Sequence, residues 1–181
     1  MSLLPVLEDE EVRAARDSAR GVLAMGHAGL LGTGLLGPDV PMTIRLAVAE
    51  ECGRAAALEL VTGDLPTAAA LLGSGETLLQ LGARYASERQ AFGRPLSRFQ
   101  VQRHAFAAAA VRLAAARALT WRAAALGDSM DLAAALPEAA EAAWFTAETV
   151  LQVHGGGGYA AGEVADRWTE IIRVRAAVQA R

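Results

Sequence analysis

The feature that most constrains this chain is its alanine-rich helical spelling. The run RFQVQRHAFAAAAVRLAAARALTWRAAAL, residues 98–126, is built from alanine, leucine and arginine, residues of the highest helix propensity. Nowhere does the chain sustain a two-residue alternation of β-branched and aromatic side chains, so almost no sheet is expected. The class is all-α. Small side chains let helix axes approach closely, which favours long antiparallel bundles.

The rest of the chain reads the same way between clear breaks. EDEEVRAARDSARGVLAMG places acids in a first turn, then Val12, Ala15, Ala19, Val22 and Leu23 at amphipathic spacing, and should stop near Gly26. HAGLLGTGLLGPDVP is rich in glycine and proline and is expected to be a loop. Helical spacing returns through Ile44, Leu46, Val48, Cys52, Ala56 and Leu60, with Gly63 expected at the C-cap. Asp64 and Pro66 are expected to start a helix that runs to the Phe92-Gly93-Arg94-Pro95 break. Ser97 is expected to cap the next helix, Gly127-Asp128 to end it, and Pro137 to open another that Gly155 to Gly158 terminate. A last helix is expected from about Glu163. The division is residues 1–63, an N-terminal helical segment, and residues 64–181, an up-down four-helix bundle, together forming one compact unit.

Composition narrows the function. A domain of 181 residues buries roughly 70% of the surface its unfolded chain exposes, so a self-sufficient core is attainable. A net charge of −3 offers no basic excess for tracking a phosphate backbone, so no nucleic-acid partner is expected. No apolar run has a spanning length of roughly 20 residues, the amino end lacks the order of a signal peptide, and the expected compartment is the cytoplasm. The single cysteine, Cys52, excludes an intrachain disulfide and is expected to be buried. His27 and His104 have no partner at metal-ligand spacing, and His154 reads as a helix-end histidine. Trp121, Trp144 and Phe145 read as core or interface anchors.

Two motifs then carry a resemblance. YASERQAFGRPLSRFQVQRH, followed about fifty residues later by VLQVHGGGGYAAGEVADRW, resembles the carboxyl-terminal helical domain of the acyl-CoA dehydrogenase family, with its Arg-x-x-Phe-Gly-x-Pro turn and its Gln-x-x-Gly-Gly-x-Gly-Tyr segment. The likeness covers roughly residues 65 to 175, and VAEECGRA at 48 to 55 more weakly resembles the end of that family's amino-terminal helical domain.

By motif position the resemblance implies that Arg89, Phe92, Gln100, Gln152, Gly155 and Gly156 face the pyrophosphate and adenosine part of FAD held by a neighbouring subunit. Arginine offers a fixed fork of donors to a pyrophosphate, and glycine lets backbone N–H groups approach an anion. The family's middle β-domain, which stacks on the flavin, has no counterpart between the two helical resemblances. The family's base is a carboxylate, often in a Glu-Gly-Thr segment; the matching position here falls near Gln179, which cannot take a proton at neutral pH. Asp64 and Glu76 are the remaining base candidates, set against plainer roles as a helix cap and a solvated side chain.

Three readings follow. The chain is an acyl-CoA dehydrogenase-like flavoprotein subunit whose partner chain supplies the β-domain and base. Alternatively it is a non-catalytic assembly module, or a protein binding FAD, ADP or CoA without redox chemistry. The implied partners are further copies, as a dimer or dimer of dimers, or a fuller acyl-CoA dehydrogenase chain, with acyl-CoA as substrate.

Overall fold

The computed structural model describes residues 9–26, 28–160 and 162–181. The amino end and His27 lie outside them. Six helices carry the described fold: α1 (Glu10–Met25), α2 (Met42–Arg54), α3 (Asp64–Glu88), α4 (Gln100–Leu126), α5 (Ser129–His154) and α6 (Glu163–Gln179). A hairpin of two-residue strands, β1 (Gln90–Ala91) and β2 (Arg94–Pro95), is the one sheet among the described residues. No described helix is long and apolar enough to cross a membrane.

Helices α3 to α6 form the up-down bundle expected from the alanine-rich sequence. Helix α5 packs against α3, α4 and α6. Its small buried residues, Ala135, Ala139, Ala140, Ala142, Ala143 and Ala147, allow that central position. Helix α2 joins the same core, because Leu46, Ala47 and Ala49 are buried with Ala68, Ala69, Leu71 and Leu72 of α3. Its crossing with α3 is very close. A Cβ on Gly53 would lie 1.8 Å from the Ala70 carbonyl oxygen, and one on Gly73 would lie 2.0 Å from that of Glu50. Only two glycines permit that approach.

Several boundaries differ from the sequence expectation. The second helix stops at Arg54, not at Gly63, and continues through Ala56 at φ 56 into a 3-10 turn, Leu58–Leu60. Its C-terminal carbonyls are taken by a side chain from elsewhere: Arg167 of α6 donates to Gly53 O at 2.8 Å and Arg54 O at 2.7 Å. Asp64 is the first residue of α3 and caps nothing; Gly63 holds the N-cap position. Ser97 sits in a 3-10 turn, Leu96–Arg98, and Phe99 is the N-cap of α4.

Pro137 does not open a helix. Asp128 caps α5 eight residues earlier in sequence than the proline's own turn would, its carboxylate accepting from the N–H groups of Met130 at 2.9 Å and Asp131 at 3.2 Å. Pro137 then lies inside α5 on an exposed face, while Ala135, Leu136, Ala139 and Ala140 around it are buried. Tertiary packing of that face overrides the lost backbone donor. The glycine-rich stretch after α1 is mostly turns, with one helical turn at Ala28–Leu31.

Candidate functional site

The break after α3 is a built hairpin. Arg89 leaves the helix with φ −70 and ψ 125, yet its N–H still donates to Tyr85 O at 2.8 Å. Ala91 pairs with Arg94, so Phe92-Gly93 forms a two-residue loop, with φ 52 and 76. Positive φ at both loop residues suits the twist of a tight hairpin, but it is unfavourable for a phenylalanine. That Phe92 is 96% exposed, so burial does not compensate it. Its ring meets Phe99 edge-on at 6.3 Å, and the Arg94 guanidinium lies 4.1 Å over the same Phe99 ring.

The glycine run closes the neighbouring helix. Gly155, at φ 60, ends α5 and donates its N–H to Gln152 O, and Gly155–Tyr159 continues as a 3-10 turn. The two segments are tied by one ring stack: Tyr85, a turn before Arg89, lies face to face with His154 at 4.0 Å. His154 is further held by its Nδ1 contact to Val150 O at 2.8 Å. The helix-end reading of His154 therefore acquires a definite job, joining the ends of α3 and α5.

The elements carrying Arg89, Phe92, Gln100, Gln152, Gly155 and Gly156 thus meet at one end of the bundle, and all six residues are exposed there. Gln152 also lines a groove of about 400 Å³ between α4 and α5, with Val101, Trp144 and Phe145. Arg84, Arg89, Arg94, Arg98 and Arg103 give this end an exposed cationic surface. Among the described residues Arg89 makes no ion pair.

The carboxylate candidates lie elsewhere. Asp64 starts α3, a helix of 25 residues, so at about 1.5 Å per residue it is roughly 37 Å along the axis from Arg89. It pairs with Arg181 at 2.6 Å. Glu76 is not on a solvated face: its Oε2 accepts from Arg54 Nη2 at 2.6 Å and Arg117 Nη2 at 2.8 Å. Burial raises the Glu76 pKa, but the bonds and charges of Arg54 and Arg117 outweigh that and hold it below its ordinary value. It is an anion committed to two arginines, and a poor proton acceptor.

Glu76 belongs to a network that the sequence reading missed. Glu50 of α2 is 1% exposed and accepts from Arg16 of α1, Arg54 of α2, and Arg117 and Trp121 of α4. Glu51 accepts from Arg20 and Arg54. One local signal was available: two glutamates inside the apolar helix AVAEECGRA need cationic partners if that helix is buried. Cys52, beside them, is fully buried, and desolvation pushes its thiol up to about 12.

Residues 51–178 match the model of the acyl-CoA dehydrogenase C-terminal domain. The chain belongs to the acyl-CoA dehydrogenase family. Its similarity to the human mitochondrial short-chain specific acyl-CoA dehydrogenase is 37% identity over 117 residues, 62% of this chain and 28% of that protein. It is also 37% identical over 101 residues to the (2S)-methylsuccinyl-CoA dehydrogenase of Cereibacter sphaeroides, covering 53% of this chain and 18% of the relative. The chain therefore spans under a third of these curated relatives. Among solved structures, the glutaryl-coenzyme A dehydrogenase glutaryl-CoA complex superposes with a TM-score of 0.57 at 26% identity, covering 72% of this chain and 32% of that one. An acyl-CoA dehydrogenase from Geobacillus kaustophilus superposes at 0.58 with 22% identity, covering 77% and 37%, which supports the fold. For an acyl-CoA dehydrogenase-family chain, the hairpin and the glycine run are the expected family motifs, now placed at one end of a four-helix bundle.

Proposed function

We propose that this chain is a subunit of an acyl-CoA dehydrogenase-type flavoprotein, contributing the nucleotide-facing side of an FAD site while a partner chain supplies the flavin wall and the base. The observation that carries this reading is Arg89, an exposed guanidinium without an ion pair among the described residues, on a hairpin tied by the Tyr85–His154 stack to the glycine turn. The residues present suit an anionic dinucleotide. A cationic surface meets phosphate, glycines 155 and 156 have open space where a Cβ would be, and Phe92 offers an exposed ring. FAD, when bound, supplies the hydride acceptor for α,β-dehydrogenation of an acyl-CoA thioester. This chain's part is binding and orientation, because Asp64 and Glu76 are held by arginines.

The assembled form is a hetero-oligomer with a fuller acyl-CoA dehydrogenase chain, or a homo-oligomer through the bundle if the chain is an assembly module. A cytoplasmic setting accords with this role. The residue division 1–63 and 64–181 accompanies this reading, with the α2 core contacts supporting a single unit.

The test is purification from the native host, followed by a visible spectrum and mass spectrometry of co-purifying chains. A flavin band with a second, larger chain supports the split enzyme. A colourless homo-oligomer overturns it and leaves the assembly module. A self-contained flavoprotein that oxidises an acyl-CoA alone overturns the need for a partner.

A further inference from the structure

Helix α1 is attached differently from the rest of the fold. It packs on α2 and on the one-turn segment Ala28–Leu31. Of its described buried residues, Val12 reaches the main core, while Ala15, Ala19 and Leu23 form a separate cluster with Leu30, Val48, Cys52 and Ala57. Two of those three α1 residues are alanines, so the apolar grip falls mainly on Val12, Leu23 and the partly buried Val22. The chain from 26 to 41 then contains Gly26, Gly29, Gly32, Gly34 and Gly37, two of them at positive φ, before Pro38 and Pro41. Such a connection imposes little on the helix it carries.

What holds α1 in register is a pair of arginines. Arg16 Nη2 lies 3.3 Å from Glu50 Oε2, and Arg20 donates to Glu51 through Nη2 at 3.0 Å and Nε at 3.2 Å. Those carboxylates do not depend on α1. Glu50 keeps Arg54, Arg117 and the Trp121 indole, and Glu51 keeps Arg54 at 2.6 Å. Departure of α1 therefore leaves no buried carboxylate without a cation. Removing α2 would break all of these bonds together.

We infer that α1 is a strap that opens as a unit while α2 to α6 stay folded, and that its opening uncovers Cys52 and the carboxylate-bearing face of α2. The clamp is electrostatic and its outer member is solvated, the Arg20 side chain being 60% exposed against 3% for Glu51, so added salt favours the open strap. In the closed form the Cys52 thiol is buried and protonated, which makes it inert to disulfide reagents.

Because Cys52 is the only cysteine in the chain, the intact protein carries its own reporter. The experiment is labelling with an aromatic disulfide reagent at neutral pH, over a series of salt and low urea concentrations. It is repeated on the double variant Arg16→Gln/Arg20→Gln, with global unfolding followed by near-UV circular dichroism. The expected result is labelling that is insensitive to low urea, quickens with salt, and is about tenfold faster in the double variant, while the global unfolding midpoint moves little. Two results would overturn the inference. One is labelling that tracks global unfolding in its urea dependence; the other is a variant whose labelling rate equals that of the unaltered chain. Should the double variant fail to fold, the salt and urea series on the unaltered protein decides between the same outcomes.

Discussion

The indole Nε1 of Trp121 donates a 2.9 Å hydrogen bond to Glu50 Oε1, joining α4 to α2 across 71 residues of sequence. Both residues are fully buried or nearly so. The carboxylate also takes Arg16, Arg54 and Arg117. Truncating it would leave the buried Trp121 indole N–H without its acceptor, while Arg54 and Arg117 keep Glu76. Glu50→Ala should therefore lower stability by about 1–3 kcal/mol, the cost of an unsatisfied buried donor. A urea midpoint within error of the parent would show that the network is dispensable.

The α2–α3 crossing makes a sharper steric prediction. Gly73→Ala places its Cβ against the backbone of α2, which cannot rotate away, and should cost about 3 kcal/mol or more through displacement of the two helices. Gly21→Ala is the control, since nothing lies within 4 Å of its added Cβ on exposed α1. It should stabilise α1 by about 0.5–1 kcal/mol through helix propensity. The thermal unfolding midpoint should fall for Gly73→Ala and not for Gly21→Ala, whose gain is read as slower Cys52 labelling.

Acid should weaken the network in a defined direction. The folded Glu76 carboxyl has a pKa below its unfolded value, through Arg54 and Arg117. Its contribution is fully present above the ordinary glutamate range and is lost as pH falls through the lowered folded value. Glu76→Gln should flatten that part of the acid limb of a stability–pH curve; an unaltered limb would refute the assignment.

Cys52 gives the alkaline counterpart. Its folded pKa is raised from 9.0 to about 12, so the stability it carries is complete below the unfolded value and lost as pH rises through that window. A Cys52→Ala chain should lack that loss in denaturant titrations between pH 8 and 11, a range chosen around the ordinary thiol value of about 8.5. Parallel curves for the two proteins would contradict it.

At the hairpin, stability and binding should separate. Phe92 occupies the left-handed region and is exposed, so Phe92→Gly should stabilise the fold by about 1 kcal/mol. Arg89→Ala should leave stability unchanged and weaken FAD or ADP binding by about 1.5–3 kcal/mol, the range of a charge-assisted hydrogen bond. Calorimetric titration with ADP, free and in the assembled protein, measures the latter. Equal affinity would remove Arg89 from the site.

Much of this was written in the local sequence. Helix propensity and glycine-proline breaks depend on a few consecutive residues, so the six helices, the Gly26 and Gly127 stops and the glycine end of α5 were all legible. The Arg-x-x-Phe-Gly turn and the Gln-x-x-Gly-Gly segment were legible as motifs for the same reason. Caps and junctions were less so. Asp64, Ser97 and Pro137 each have a plausible local role, and in each case a nearby residue or a packed face took it instead.

The sequence by itself determined that this protein is an all-helical bundle of the acyl-CoA dehydrogenase family, because propensity, patterning and motif spacing are properties of short stretches. Only the tertiary structure decided that Glu50, Glu76 and Trp121 share one buried network, that Arg167 closes the end of α2, and that Tyr85 and His154 bring the two motifs together. Those contacts join residues tens of positions apart, and their partners are chosen by which helix faces meet. A charged side chain reads as solvated until its helix is known to be buried, and burial is a property of the whole fold.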